Sequence, residues 1–232
     1  MDHFQRIYQQ EADGYSRLMS GADVDGRLAA ALRQLTPFTG KEWLDLGTGT
    51  GRIPAIVAPH VAQLVALDKH RAMLKEQLSS QQSAVSTWLA QADMQDLPLP
   101  NHHFDVVTAG WSMGHSRAWF AEQWQTVMGR MVQEMRRVVA PGGIVIIIET
   151  MGTGVLSPAP PSPELAEYYA WLEEQWGFVR QVITIDYEFE SVGDAAAVMT
   201  FFFGEAMGER VRANNWKRVP EWAGLWVWHY AD

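Results

Sequence analysis

Trp43-Leu44-Asp45-Leu46-Gly47-Thr48-Gly49-Thr50-Gly51-Arg52 decides how the chain is read. A short apolar run reaches a glycine-rich turn, and a helical pattern then continues through about Ala58. Such a turn lets a ligand come close to the backbone, because no side chains stand in the way and the helix start offers unpaired N–H groups. The dinucleotide fingerprint Gly-x-Gly-x-x-Gly asks for glycine at position 52. The chain has Arg52 there, so that fingerprint fails at its last place. Asp68 closes the next apolar run, roughly 20 residues past the turn, where a carboxylate can accept both hydroxyls of a ribose. Taken singly, the glycines also fit a plain tight turn and Asp68 a helix cap. Turn and acid in this order predict a nucleoside site.

Working outward, the pattern alternates. Strands are expected at Glu42–Leu46, Gln63–Leu67, Ser86–Gln91 and Phe104–Ala109, with helices between them, then one long helix from about Arg117 to Val139. Pro141-Gly142-Gly143 turns the chain into Ile144–Ile148, a β-branched run suited to a strand buried on both faces. Strands separated by helical patterns imply βαβ units and a parallel sheet. Two helices precede the first strand, one over Phe4–Met19 and one over about Val24–Leu35. After a linker with prolines at 158, 160, 161 and 163 come a helix (Glu164–Trp176), a strand (Val179–Phe189), a helix (Gly193–Arg212) and a last aromatic strand (Gly224–Tyr230). The expectation is a single domain over 1–232. Within it, 1–40 form a helical lid, 41–150 a cofactor-binding core, and 151–232 complete the sheet and supply acceptor-side helices.

Composition narrows the function classes. At 232 residues, 47% hydrophobic and 19% charged, the chain reads as an ordinary globular protein. Its net charge of -9 and lack of any basic run disfavour a nucleic-acid partner, because phosphate neutralisation needs clustered Lys and Arg. The absence of cysteine rules out thiolate nucleophiles, disulfides and Cys-ligated metals. The adjacent His102 and His103 have no third ligand spaced to help them, so no metal is expected. The first residues carry no signal-peptide pattern and no stretch is long enough to span a bilayer, so a soluble cytoplasmic protein with no membrane partner is expected.

These motifs resemble those of the class I S-adenosylmethionine-dependent methyltransferases, in particular a small-molecule branch that includes quinone-biosynthesis C-methyltransferases. Asp45–Gly51 looks like the first motif of that family, Leu64–Asp68 the second, Gln91-Ala92-Asp93-Met94 the third and Phe104-Asp105-Val106-Val107 the fourth. Met135–Glu149, with Pro141-Gly142-Gly143, looks like the later strand motif. The resemblance implies an α/β, Rossmann-like, mostly parallel seven-stranded sheet with helices on both faces and an N-terminal lid. The implied cofactor is S-adenosylmethionine, leaving S-adenosylhomocysteine as product. Gly47, Thr48, Gly49 and Gly51 would then lie along the methionine portion, with Asp45 near its ammonium group and Asp68 on the ribose. Asp93 would accept from the adenine amino group, Met94 N–H would donate to a ring nitrogen, and Lys69 would lie beside the adenine plane. Gly110 and Trp111 would complete the pocket, the indole facing the sulfonium or simply packing in a wall.

Methyl transfer needs alignment and exclusion of water more than acid–base chemistry, and a base only where the acceptor must first lose a proton. His115, just past the fourth strand, is the candidate base. Acceptor-side candidates are Tyr8 and Tyr15 on the first helix, Trp111, His115, Phe203 and Trp226; core packing is the alternative for the last two. Nucleic-acid-base methyltransferases of this family carry an Asn/Asp-Pro-Pro-Tyr-like sequence where this chain has Gly110-Trp111-Ser112-Met113, so a small-molecule acceptor is expected. A non-enzymatic cofactor-binding protein, an aminopropyl transferase and a nicotinamide-dependent reductase stand as alternatives on the same fold.

Overall fold

The computed structural model describes residues 17–80 and 87–231. The helix expected over Phe4–Met19, with Tyr8 and Tyr15, lies outside the described residues except for its last turn at 17–20. The described elements in chain order are α1 (Arg27–Leu35), β1 (Glu42–Leu46), α2 (Arg52–Val57), β2 (Gln63–Asp68), α3 (Arg71–Ser80), β3 (Thr87–Gln91) and β4 (Phe104–Gly110). They continue with α4 (Gly114–Trp119), α5 (Trp124–Val138), β5 (Val139–Thr153), α6 (Pro163–Glu174), β6 (Val179–Thr184), β7 (Tyr187–Glu188), α7 (Val192–Phe203), α8 (Glu205–Ala213), β8 (Arg218–Val219) and β9 (Glu221–His229).

Seven strands form one sheet in the order β3-β2-β1-β4-β5-β9-β6. All neighbours are parallel except β9, which is antiparallel to both β5 and β6. This is the α/β, mostly parallel, Rossmann-like sheet that the alternating pattern predicts. Its core follows from two-residue periodicity on strands covered on both sides. Val145 and Ile147 pack with Val107, Met131 and Met135 on the face covered by α5 and α6. Ile144, Ile146 and Ile148 pack with Val106, Ile53 and Leu28 on the face covered by α1 and α2. Each such side chain, fully buried, stabilises the fold by about 1.5–3 kcal/mol.

Three expected elements are each broken in two. The helix expected from Arg117 to Val139 is α4 and α5, because a turn at Phe120–Gln123 lets Trp124 set its ring edge-on against Trp171 at 5.2 Å. The strand expected over Val179–Phe189 ends at Thr184, and Tyr187–Glu188 pairs instead with β8 in a separate ribbon. The helix expected over Gly193–Arg212 breaks at Gly204, whose φ of 88° and ψ of 170° double the chain back as α8 on α7. These two helices, the β7–β8 ribbon, Leu18 and Met73 of α3 form a third apolar cluster, separate from the two that flank the sheet.

Candidate active site

The strand order reverses between β1 and β4, and open α/β sheets seat ligands at such a crevice beyond the strands' C-terminal ends. A cleft enclosing about 890 Å³, mouth included, lies there. Its wall takes Asp45, Gly47, Thr48 and Gly49 from the end of β1, Asp68 and Lys69 from β2, and Asp93 and Met94 beyond β3. Gly110, Trp111 and His115 join them after β4. Thus ten of the eleven residues expected at the cofactor, together with His115, line one cavity. Gly51 does not; it is buried where a β-carbon would press on Gln77, 2.8 Å from Cγ.

The turn is built to stay open. Gly47 has a φ of 62°, and a β-carbon there would fall 2.4 Å from Ser112 Cβ, so β1 and the loop after β4 meet only because residue 47 has no side chain. Thr48 N–H donates to Leu67 O at 3.0 Å, and Gly49 N–H donates to Asp68 Oδ2 at 2.9 Å. The other carboxylate oxygen accepts from His70 N–H at 2.7 Å. Asp68 therefore caps the start of α3 and fastens the glycine turn, and the lone pairs left on its oxygens can still accept hydroxyls. Burial raises its carboxyl above the usual carboxylate value, while the two backbone donors hold it down.

Asp45 is 1% exposed on β1. Trp43 Nε1–H donates to Thr108 Oγ1 at 3.0 Å, and the Thr108 hydroxyl donates to Asp45 Oδ1 at 2.7 Å. The register Asp45↔Thr108 of the β1–β4 pair sets this chain of bonds. Burial pushes the Asp45 carboxyl up to about 7, against the pull of the Thr108 and Thr48 hydroxyls.

The remaining wall is apolar and aromatic. Trp119 lies parallel to His115, ring centroids 5.3 Å apart, and the Lys69 ammonium lies 4.8 Å from the Trp119 ring centroid. Met73, Met94 and Met131 fill in behind. Asp93 is exposed, and its Oδ1 accepts from Gln95 N–H at 2.9 Å in a local turn. Trp111 holds a φ of 50°, an uncommon conformation for a bulky residue, and its N–H donates to Ile148 O at 2.7 Å. Arg52 Cζ lies 3.9 Å from the centroid of the Trp111 ring. Among the described residues, no group of three or more His, Asp or Glu is placed to hold a metal ion.

Phe203 and Trp226 stand elsewhere. Trp226, fully buried, lies on Tyr169 with centroids 4.4 Å apart and donates from Nε1 to Glu173 Oε1 at 2.9 Å. Phe203 packs edge-on to Phe202 at 4.8 Å in the third cluster. Both act as packing residues and neither lines the cleft.

Residues 44–147 match the family profile described as a methyltransferase domain. Over this stretch, which runs from β1 into β5, the chain is similar to the methyltransferase-domain family. A ubiquinone/menaquinone biosynthesis C-methyltransferase of Coxiella burnetii is 32% identical over 125 residues, which cover 51% of this chain and 46% of that protein. A malonyl-[acyl-carrier protein] O-methyltransferase of Legionella pneumophila is 29% identical over 177 residues, covering 73% of this chain and 57% of that one. The chain thus spans about half the length of the curated relatives it matches. The crystal structure of an S-adenosylmethionine-dependent methyltransferase from Aquifex aeolicus shares the fold, with a TM-score of 0.54 at 16% identity over 90% of this chain and 95% of that one.

The cleft fits the cofactor of that family. Its lining combines the carboxylates of Asp45, Asp68 and Asp93 with the apolar side chains of Met73, Met94 and Met131, the mixture that a polar nucleoside with an apolar body needs. Asp45 offers a buried acceptor for an ammonium group, and Asp68 offers fixed acceptors for vicinal hydroxyls. Sequence reasoning missed Ser112, Trp119 and the part played by Arg52. Trp119 is seen only once α4 is known to end there. Arg52 did carry a signal, because a cation in the first turn of a helix opposes the helix dipole.

Proposed function

We propose that the protein transfers a methyl group from S-adenosylmethionine to a small-molecule acceptor. The observation that carries this reading is the cleft at the β1/β4 switch point, which joins the bare turn at Gly47–Gly49 to the tied carboxylate of Asp68. S-adenosylmethionine, when bound, supplies an electrophilic methyl on a sulfonium with a good leaving group. The chain's own work is to bind, orient and exclude water, which lowers the barrier by several kcal/mol where alignment is close. Asp68 would hold the ribose and Asp45 the ammonium. Asp93 and Met94 would meet the adenine, and Trp119 with Lys69 would close the mouth over it. His115, on the same wall, can accept a proton from an acceptor that must lose one.

A small-molecule acceptor is supported by the aromatic character of the wall after β4 and by the net charge of -9, which is adverse to a polyanion. No helix among the described residues is long and apolar enough to cross a membrane. A cytoplasmic location belongs to the same proposal, and fractionation of expressing cells tests it.

S-adenosylhomocysteine at about 100 times its dissociation constant should stabilise the protein by about 2.7 kcal/mol, read as a rise in Tm. Asp68→Ala should lose most of that rise, since each hydroxyl bond to it is worth about 1–3 kcal/mol. Calorimetry that finds no binding of S-adenosylmethionine or S-adenosylhomocysteine to the folded protein would overturn the proposal.

A further inference from the structure

We propose that Arg52, stacked on the face of Trp111, seats a carboxylate carried by the methyl acceptor. The inference rests on the methyltransferase reading and narrows its substrate to a class: a carboxylate joined to an apolar or aromatic body.

Arg52 opens α2 directly beneath the cleft, and both it and Trp111 line the cavity. The left-handed backbone of Trp111, pinned by its N–H bond to Ile148 O, turns the indole so that the guanidinium lies flat on it, 3.9 Å from the centroid. A guanidinium stacked in this way keeps its in-plane N–H fork free for a planar partner. Here the fork is not spent. Arg52 Nη2 is buried without a hydrogen-bond partner, and no described carboxylate forms an ion pair with Arg52. A buried, unsatisfied donor on a cation is costly, and beside a cleft a bound ligand is one way to complete it.

The neighbouring acids make no ion pair with it. Asp23 feels Arg52, but its two oxygens accept from the N–H groups of Arg27 and Leu28, at 2.8 and 3.0 Å. Glu221, 2% exposed on β9, also feels Arg52, and burial pushes its carboxyl up to about 8, so it is largely uncharged at neutral pH. Arg52 therefore stands in the cleft with no ion-pair partner among the described residues, in a chain of net charge -9. A sulfonium brought into the same cleft adds a second positive charge, and an anionic acceptor lying between the two is attracted by both. Binding of cofactor and of acceptor should each strengthen the other. One planar fork over an aromatic ring suits a carboxylate; a phosphate dianion calls for more donors than Arg52 alone presents.

The test uses benzoate and benzamide, equal in shape and different in charge, on the full chain saturated with S-adenosylhomocysteine. The Arg52 guanidinium N–H signal, assigned by its loss in Arg52→Met, is followed by NMR during each titration. Benzoate should shift it saturably, with a dissociation constant at least about tenfold below that of benzamide. Arg52→Met, its folding checked by circular dichroism and Tm, should bring the two ligands to the same weak affinity. Arg52→Lys, which keeps the charge without the fork, should recover only part of the preference. Equal affinities for benzoate and benzamide, or no saturable response to benzoate, would overturn the proposal.

The cofactor carries a carboxylate of its own, so the source is tested separately. Arg52→Met should leave the affinity for S-adenosylhomocysteine nearly unchanged. A loss of about tenfold for S-adenosylhomocysteine that spares 5′-methylthioadenosine, which lacks the amino-acid portion, would give Arg52 to the cofactor and refute the assignment to the acceptor. Failure of wild-type protein to bind S-adenosylhomocysteine at all would instead sink the methyltransferase reading, and the benzoate comparison on ligand-free protein would still decide the anion site.

Discussion

At the scale of single residues, Asp45 links the site to pH. Its carboxyl titrates near 7 in the fold and near 3.8 in the unfolded chain, so between those values the native state holds a proton that the unfolded state has lost. Stability from this group is therefore full below pH 3.8 and falls as pH rises towards 7. Asp45→Asn should remove that share of the slope, so the variant gains on the wild type between pH 5 and 8, measured by urea unfolding. An ammonium group beside Asp45 favours its ionised form, so binding of S-adenosylhomocysteine below about pH 7 should release a proton. Calorimetry in buffers of different ionisation enthalpy reads this directly, and binding enthalpies that do not vary with buffer would contradict it. The position of Asp45 was legible in the sequence as the acid before the glycines. Its protonation was not, because that comes from burial within the sheet, which Thr108, a strand away and 63 residues later, only partly offsets.

At the scale of elements, the parallel strands were legible nearly to the residue, because apolar runs bounded by glycine, proline and acid have few other readings. The breaks were not. The apolar pattern runs through Gly204 without a change of period, and only the backbone there, at φ 88° and ψ 170°, shows why residue 204 is glycine. That region of backbone space is essentially closed to residues with a β-carbon. Gly204→Ala should cost about 1–3 kcal/mol in denaturant unfolding, and no cost would mean that the α7–α8 turn relaxes freely. The turn between α4 and α5 contains neither glycine nor proline. It is imposed by the packing of Trp124 against Trp171, residues 47 positions apart, which local pattern does not reveal.

At the scale of the whole molecule, two cores flank the sheet and a third lies under α7, α8 and the β7–β8 ribbon. The third cluster's reach to Leu18 and Met73 ties the C-terminal helices, which the sequence reading placed on the acceptor side beside the completed sheet, to the chain before α1 and to the cleft wall. Its share of the fold rests on fewer buried side chains and on exposed ion pairs such as Arg17–Asp194 at 2.7 Å. Such units open before the global transition. Amide hydrogen exchange over 192–213 should therefore respond at lower denaturant than exchange over 144–148. Coincident exchange in the two segments would show one cooperative unit instead.

The two backbone bonds that already grip Asp68 have a kinetic consequence. A ligand meeting this cleft finds the Asp68 carboxylate already fixed, so its hydroxyls should dock there without reordering the glycine turn or the start of α3. Stopped-flow binding of S-adenosylhomocysteine should then be a single phase whose rate rises linearly with ligand concentration, and a rate that levels off would show an ordering step instead.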